Sequence, residues 1–221
     1  MPRTDARKNV KTSLKSALSP IGLGFRAGRG GSVVVGVAVD GREPRVVLST
    51  FLATAADGDR LAFEPYHVAA EMARGPDGKV SREAAAAVAE GRKRQDQMAA
   101  SGLDALVRKL AEAGYKSAVA ALLVNRAGWV TDLLEYSLFA PEHPPVAEGL
   151  AVRDALRFAF GRCGITAKEV DEKSLPETAS LRFSIANLDT RLKALGATAG
   201  KPWRKEQKLA CLAAWFAISA P

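Results

Sequence analysis

The chain has 221 residues, of which 48% are hydrophobic and 25% charged, and its formal net charge is +8. This composition is typical of one globular domain with a substantial core, with or without a tail. No apolar run reaches the roughly 18 residues of a membrane span, and two cysteines with two histidines argue against a zinc site. We therefore expect a cytoplasmic protein with reduced, buried thiols.

The positive charge is concentrated at the N-terminus. Residues 1–30 contain seven Lys or Arg against Asp5 alone, a balance of +6 that leaves +2 for the remaining 191 residues. Five glycines between Gly22 and Gly31 favour a segment that cannot bury enough surface to order itself. We therefore predict a flexible basic arm over residues 1–31 and a single domain over residues 32–221. The arm's candidate contacts to a polyanion are Arg7, Lys8, Lys11 and Lys15.

Two β-branched runs open the body, Ser32 to Asp40 and Arg45 to Thr54. Asp40 and Gly41 between them are turn formers, so the pattern predicts a β-hairpin. A second turn at residues 57–59 precedes a third, short strand predicted over Arg60 to Glu64. Together these runs predict an antiparallel meander.

Helices and two further strands follow the meander. An Ala-rich helical pattern runs from Ser81 to Gly114, and the compact apolar run Lys116 to Val124 is typical of a buried strand. The remaining predictions are helices over Thr131–Phe139 and Ala147–Cys163, a short strand over Glu169–Leu175, and helices over Glu177–Leu195 and Lys205–Ile218.

This order of elements resembles the ribonuclease H-like fold. Three local stretches, GLAVRDALRFAFGRCGI, VDEKSLPE and LKALGATAGKPWRKEQKLACLAAW, are similar to the second half of RuvC-type Holliday-junction resolvases. The resemblance implies an α/β domain with a mixed five-stranded sheet that begins as an antiparallel meander and has helices on both faces. The Ala- and Arg-rich composition of the body indicates a bacterial protein.

The resemblance also implies a chemistry that can be checked in the residues. Enzymes of this superfamily cleave phosphodiesters with two divalent cations, Mg²⁺ or Mn²⁺, held by acids from the first strand, the fourth strand and the last helix. The first-strand acid follows a Gly-x-Asp pattern, where this chain reads Gly36, Val37, Ala38. The fourth strand ends in Val124, Asn125 and Arg126, without the expected glutamate. We therefore predict a degenerate catalytic site.

Other acids offer an atypical set for an active nuclease. The catalytic candidates are Asp40, Glu148, Asp171 and Glu206, of which Asp40, Asp171 and Glu206 are the candidate metal ligands. Two of them have a simpler interpretation: Asp40 as a turn residue, and Glu206 as part of an exposed charge pattern beside Lys205 and Lys208.

Cations interleaved with aromatics favour nucleic-acid binding. Lys201, Trp203, Arg204 and Lys205 combine phosphate contacts with a stacking ring, although Trp203 alternatively packs as a hydrophobic staple of the last helix. Arg126 and Trp129 follow the fourth strand, where open α/β sheets present their ligands.

The leading hypothesis is a DNA- or RNA-binding protein of ribonuclease H-like fold with a degenerate catalytic site. One alternative is an active two-metal nuclease acting on branched or single-stranded nucleic acid. The other is a protein-interaction or assembly module whose arm docks on an acidic partner. A homodimer is compatible with each hypothesis.

Overall fold

The computed structural model describes residues 18–72, 79–125 and 130–219. They form a five-stranded mixed sheet with helices on both faces, as predicted. The strands are β1 Ser19–Gly28, β2 Gly31–Asp40, β3 Glu43–Ala53, β4 Tyr115–Val124 and β5 Ala167–Asp171. The helices are α1 Arg60–Phe63, α2 Pro65–Ala70, α3 Arg82–Glu112, α4 Leu133–Phe139, α5 Pro144–Arg162, α6 Leu175–Phe183, α7 Leu188–Ala199 and α8 Lys205–Ile218.

The sheet order is β3-β2-β1-β4-β5. Strand β1 pairs antiparallel with β2 and parallel with β4, and β4 pairs parallel with β5. The carboxyl ends of β1, β4 and β5 therefore meet at one edge of the sheet, which we call the carboxyl edge. Helices α3 and α5 pack on one face, and α8 with α6 and α7 packs on the other.

The prediction of a flexible arm over residues 1–31 is wrong for Ser19–Gly28, because these residues form β1, the central strand of the sheet. Its odd positions Ile21, Leu23 and Phe25 are fully buried in the core beneath α3 and α5. Gly22 and Gly24 face the other way, where a Cβ atom would overlap backbone carbonyl oxygens of α8. The glycines of this segment therefore permit close strand–helix packing instead of disorder.

The third strand of the predicted meander is also wrong. Residues Arg60–Phe63 form helix α1, since the Asp59 side chain accepts the backbone N–H of Ala62 at 3.1 Å and caps the first turn. Strand β1 completes the antiparallel part of the sheet in its place.

Two boundaries near the C-terminus differ as well. The predicted helix Glu177–Leu195 is two helices, α6 and α7, separated at Ser184, whose backbone is left-handed with φ of 55°. Strand β5 ends at Asp171, earlier than predicted, because α6 already begins at Leu175. Helix α8 has the predicted bounds.

Candidate functional site

Arg26 lies on β1 at the carboxyl edge and links three elements. Its Nε and Nη2 atoms donate to Oε1 of Glu172, one residue beyond β5, at 3.2 and 3.0 Å. Its Nη1 atom lies 3.8 Å from Oε1 of Glu206 in the first turn of α8. Arg26 has the same strand parity as Gly22 and Gly24, so it faces α8. We call Arg26, Glu172 and Glu206 the edge cluster.

The edge cluster changes how the Gly-x-Asp pattern applies to this chain. The first strand of the sheet is β1 and not β2, so the pattern belongs on Gly24, Phe25 and Arg26 rather than on Gly36 and Ala38. A guanidinium therefore stands at the position where the pattern has a carboxylate. The charge at this position is therefore reversed, whereas placing the pattern on β2 gives the neutral Ala38 there.

Beside the edge cluster, β4 ends in an amide and not an acid. The Oδ1 atom of Asn125 accepts a hydrogen bond of 2.6 Å from Nη1 of Arg153 on α5. Arg153 is only 8% exposed, and burial lowers the pKa of its guanidinium. The β1 position thus presents an arginine at the carboxyl edge, and the position after β4 presents an amide that is bound to an arginine of α5.

The structure does not bring the four predicted catalytic acids together. Asp40 is exposed at the β2–β3 turn and pairs with Arg45 at 3.7 Å, as expected of a turn residue. Asp40 lies seven residues along β2 from Val33, which pairs with Arg26. Seven residues of a strand span roughly 24 Å. Asp40 is therefore at the opposite edge of the sheet and cannot share a metal ion with Glu206.

Glu148 is fully buried on α5 and has a structural partner. Its Oε1 atom accepts the backbone N–H groups of Tyr66 and His67 at 2.8 and 3.1 Å, and it lies 3.3 Å from Nδ1 of His67. Burial raises the pKa of Glu148 to about 7, although these hydrogen bonds oppose the shift. Glu148 fixes the start of α2 instead of joining the edge cluster.

Asp171 and Glu206 do lie at the carboxyl edge, but only Glu206 belongs to the cluster. The side chain of Asp171 accepts the backbone N–H of Ser174 at 2.8 Å ahead of α6. Glu169, which has the same parity as Asp171, pairs with Arg157 on the α5 face, whereas Glu172 reaches Arg26 on the α8 face. The acid that β5 supplies to the cluster is therefore Glu172 and not Asp171.

These residues do not fit a pair of divalent cations. Two neighbouring cations need several converging carboxylates with no competing positive charge. In the edge cluster a guanidinium already occupies the space between Glu172 and Glu206. Within residues 18–72, 79–125 and 130–219, no group of three or more His, Cys, Asp or Glu side chains is arranged to hold a metal ion.

The predicted cationic segment lies ahead of α8. Lys201, Arg204 and Lys205 are exposed, and no carboxylate of the described residues pairs with them. The indole of Trp203 packs on Gly196 and donates to the carbonyl of Leu192 at 2.9 Å, so this ring contacts α7. The remaining binding candidates, Arg7, Lys8, Lys11, Lys15, Arg126 and Trp129, lie outside the described residues.

The structure is similar to that of Thermus thermophilus RuvC, with a TM-score of 0.50, 10% sequence identity, and coverage of 88% of this chain and 91% of that chain. The fold is ribonuclease H-like. The structure of T. thermophilus RuvC in complex with Holliday junction substrate has a TM-score of 0.49 at 10% identity, covering 88% of this chain and 90% of that one. No protein-family model matches the sequence, and no curated protein matches it.

The likeness confirms the predicted resemblance to ribonuclease H-like and RuvC-type folds at the level of the fold. Sequence reasoning missed Arg26 and Arg153 at the carboxyl edge, and near the end of the fifth strand it selected Asp171 instead of its neighbour Glu172. One signal for Arg26 was the glycine two residues before it: Gly24, Phe25 and Arg26 have the glycine of the Gly-x-Asp pattern and an arginine in place of its aspartate. In the described part of the chain, no helix is both long and apolar enough to cross a membrane.

Proposed function

We propose that the protein binds nucleic acid at the carboxyl edge of a ribonuclease H-like sheet and does not cleave it by a two-metal mechanism. The observation that carries this proposal is the edge cluster, in which Arg26 holds the first-strand acid position and pairs with Glu172 and Glu206.

Electrostatics supports the loss of two-metal chemistry. A fixed guanidinium repels a divalent cation and competes with it for the two carboxylates. To bind a hydrated ion, Glu172 would have to give up two hydrogen bonds from Arg26, and Glu206 an ion pair at 3.8 Å. Among the other predicted acids, Asp40 is too distant and Glu148 too buried to compensate, and Asp171 accepts the backbone N–H of Ser174 ahead of α6.

Charge at the start of α8 supports the binding role. Lys201, Arg204 and Lys205 form an exposed set of cations next to Glu206, and so next to the edge cluster. Unpaired cations on a protein surface contact phosphates and release counterions, which makes affinity salt-dependent. The segments at Arg126, Trp129 and the N-terminal arm are predicted to extend this surface.

The test is binding to single-stranded DNA, duplex DNA, a four-way junction and RNA over a salt series, with Mg²⁺ or Mn²⁺ added in parallel to detect cleavage. We expect salt-sensitive binding and no metal-dependent products. The triple variant Lys201→Gln/Arg204→Gln/Lys205→Gln should lower the slope of log affinity against log salt on duplex DNA by about 2–3.

The control variant is Arg108→Gln/Lys109→Gln/Lys116→Gln, which also removes three positive charges. These residues are exposed near the start of β4, at the end of the strand opposite to the carboxyl edge. It should retain the wild-type slope. Metal-dependent cutting would contradict the proposal and favour the nuclease. Absence of binding near physiological salt would contradict it too, and would favour an assembly module with an acidic protein partner.

Cytoplasmic location, bacterial origin and a homodimer remain predictions, as does the division into a basic N-terminal arm and one domain. The corrected boundary of that arm is the start of β1 at Ser19.

A further inference from the structure

A cleft of about 450 Å³ opens at the carboxyl edge on the face away from α8. It lies between α3, α4 and α5, beside the ends of β4 and β5, and Arg153 and Asn125 line it. The volume is within the range of small-molecule sites and is larger than an isolated phosphate needs.

Arg153 is the unusual residue of this cleft. Its guanidinium is 8% exposed, its Nη1 atom donates to a neutral amide at 2.6 Å, and its Nε atom is buried without a hydrogen-bond partner. No carboxylate of the described residues lies within ion-pair distance of Arg153. Glu172 and Glu169 attract Arg153 only from beyond ion-pair distance, so its buried guanidinium has no contacting counter-charge and is suited to receive an anion.

The acids that line the cleft already have partners. Asp154 pairs with Arg92 and with Arg157, each at 2.7 Å, and Glu169 pairs with Arg157 at 2.6 Å. Asp132 accepts two backbone N–H groups at the start of α4. The other two arginines of the cleft, Arg92 and Arg157, are therefore in contact with carboxylates, whereas Arg153 is not.

We propose that this cleft binds a nucleoside monophosphate, either free or at the end of a nucleic-acid strand, with its phosphate on Arg153. Of the guanidinium nitrogens, Nη1 donates to Asn125 and Nε is buried, which leaves Nη2 to donate to a phosphate oxygen. The apolar side chains of Val88, Val124, Leu134 and Leu150 line the same cleft and offer contact area for a base. Oxygens of the paired acids accept from sugar hydroxyl or base amino groups.

The site is separate from the edge cluster. Arg26, Glu172 and Glu206 do not line the cleft, and they face α8 on the other side of the sheet. Glu172 and Arg26 act on Arg153 through charge at a distance, and nucleotide binding, which goes beyond the proposed nucleic-acid binding, is measured with its own ligands.

The experiment is calorimetric titration of the full chain with adenosine 5′-monophosphate, adenosine and inorganic phosphate. We expect the monophosphate to bind more tightly than either fragment. Arg153→Met should weaken it at least about tenfold, because charge-assisted hydrogen bonds are lost, and Arg153→Lys should retain part of the affinity. The control Arg162→Met removes an exposed arginine from the same helix and should bind as the wild type does.

A second titration separates the two sources of the ligand. It compares one short oligonucleotide with a 5′-phosphate and the same oligonucleotide with a 5′-hydroxyl. A preference for the phosphorylated strand that Arg153→Met abolishes assigns the site to strand ends. Equal affinity for both strands, with tight binding of the mononucleotide, assigns it to free nucleotides.

Absence of monophosphate binding to the wild type, or equal affinity in Arg153→Met and Arg162→Met, would overturn the proposal. Junction binding that persists in that case leaves the proposed function intact. Conversely, mononucleotide binding without any binding of longer nucleic acid would overturn the proposed function alone.

Discussion

Replacing Arg26 with aspartate tests whether one charge reversal separates this edge cluster from a metal site. Arg26→Asp restores the acid of the Gly-x-Asp pattern and places it beside Glu172 and Glu206. The side chains of Arg26, Glu172 and Glu206 are 26%, 23% and 40% exposed, so solvent screens the two ion pairs. Together they contribute about 1–2 kcal/mol.

The substitution turns both attractions into repulsions of similar size. Arg26→Asp should therefore lower the free energy of unfolding by about 2–4 kcal/mol, a fall in Tm of about 5–15 °C for a chain of this length. A divalent cation that binds only the folded variant reverses this loss. At one hundred times its dissociation constant, Mn²⁺ adds about 2.7 kcal/mol, which raises Tm by about 5–10 °C.

The assay is differential scanning calorimetry of wild type and variants with Mn²⁺ and with a chelator. Arg26→Gln is the first control, since it breaks the ion pairs without adding a carboxylate. Arg108→Asp is the second, since it makes the same charge change beside Asp104 on α3, far from the cluster. If Mn²⁺ raises the Tm of Arg26→Asp no more than that of the controls, our account of the cluster is refuted.

Three further predictions concern groups away from the cluster. The pKa of Glu148 is about 7 in the folded protein and 4.5 without burial, so ionisation of this residue should lower the free energy of unfolding by about 3 kcal/mol as pH rises from 4.5 to 7. The free energy of unfolding of Glu148→Gln, measured over the same pH range, should lack this decrease. Gly24→Ala should lower the free energy of unfolding in urea by at least about 3 kcal/mol because its Cβ overlaps the backbone of α8, whereas Gly149→Ala, with open space around it, should raise stability by about 0.5–1 kcal/mol. A thiol reagent should modify the half-buried Cys163 well before the buried Cys211, whose pKa burial raises to about 12; equal rates in the folded protein would contradict this packing of α8.

Local sequence patterns predicted the elements in which buried residues recur at regular spacing. The β2–β3 hairpin, β4, α3 and α8 were recognisable because their apolar residues follow strand or helix spacing. The order of these elements also led to the fold, which the likeness to T. thermophilus RuvC confirms.

Strand β1 was missed for a reason that only the tertiary structure supplies. Its alternate positions are Gly22 and Gly24, which read as disorder in a basic segment, but the close approach of α8 requires them. Because the first strand was misplaced, the Gly-x-Asp pattern was sought on β2, and Arg26 was not recognised. Its partner Glu172 is 146 residues away in the chain, so no local pattern links the two.

The central position of β1 has a consequence for synthesis and folding. One edge of β1 pairs with the nearby β2, but its other edge pairs with β4, beginning at Ser19 with Tyr115. While a ribosome makes α3, that second edge has no partner within the emerged chain. Long-range parallel pairing forms slowly, and an unpaired strand edge is a template for other chains. A nascent chain that stalls before residue 115 would therefore expose the middle of its own sheet to neighbouring polypeptides.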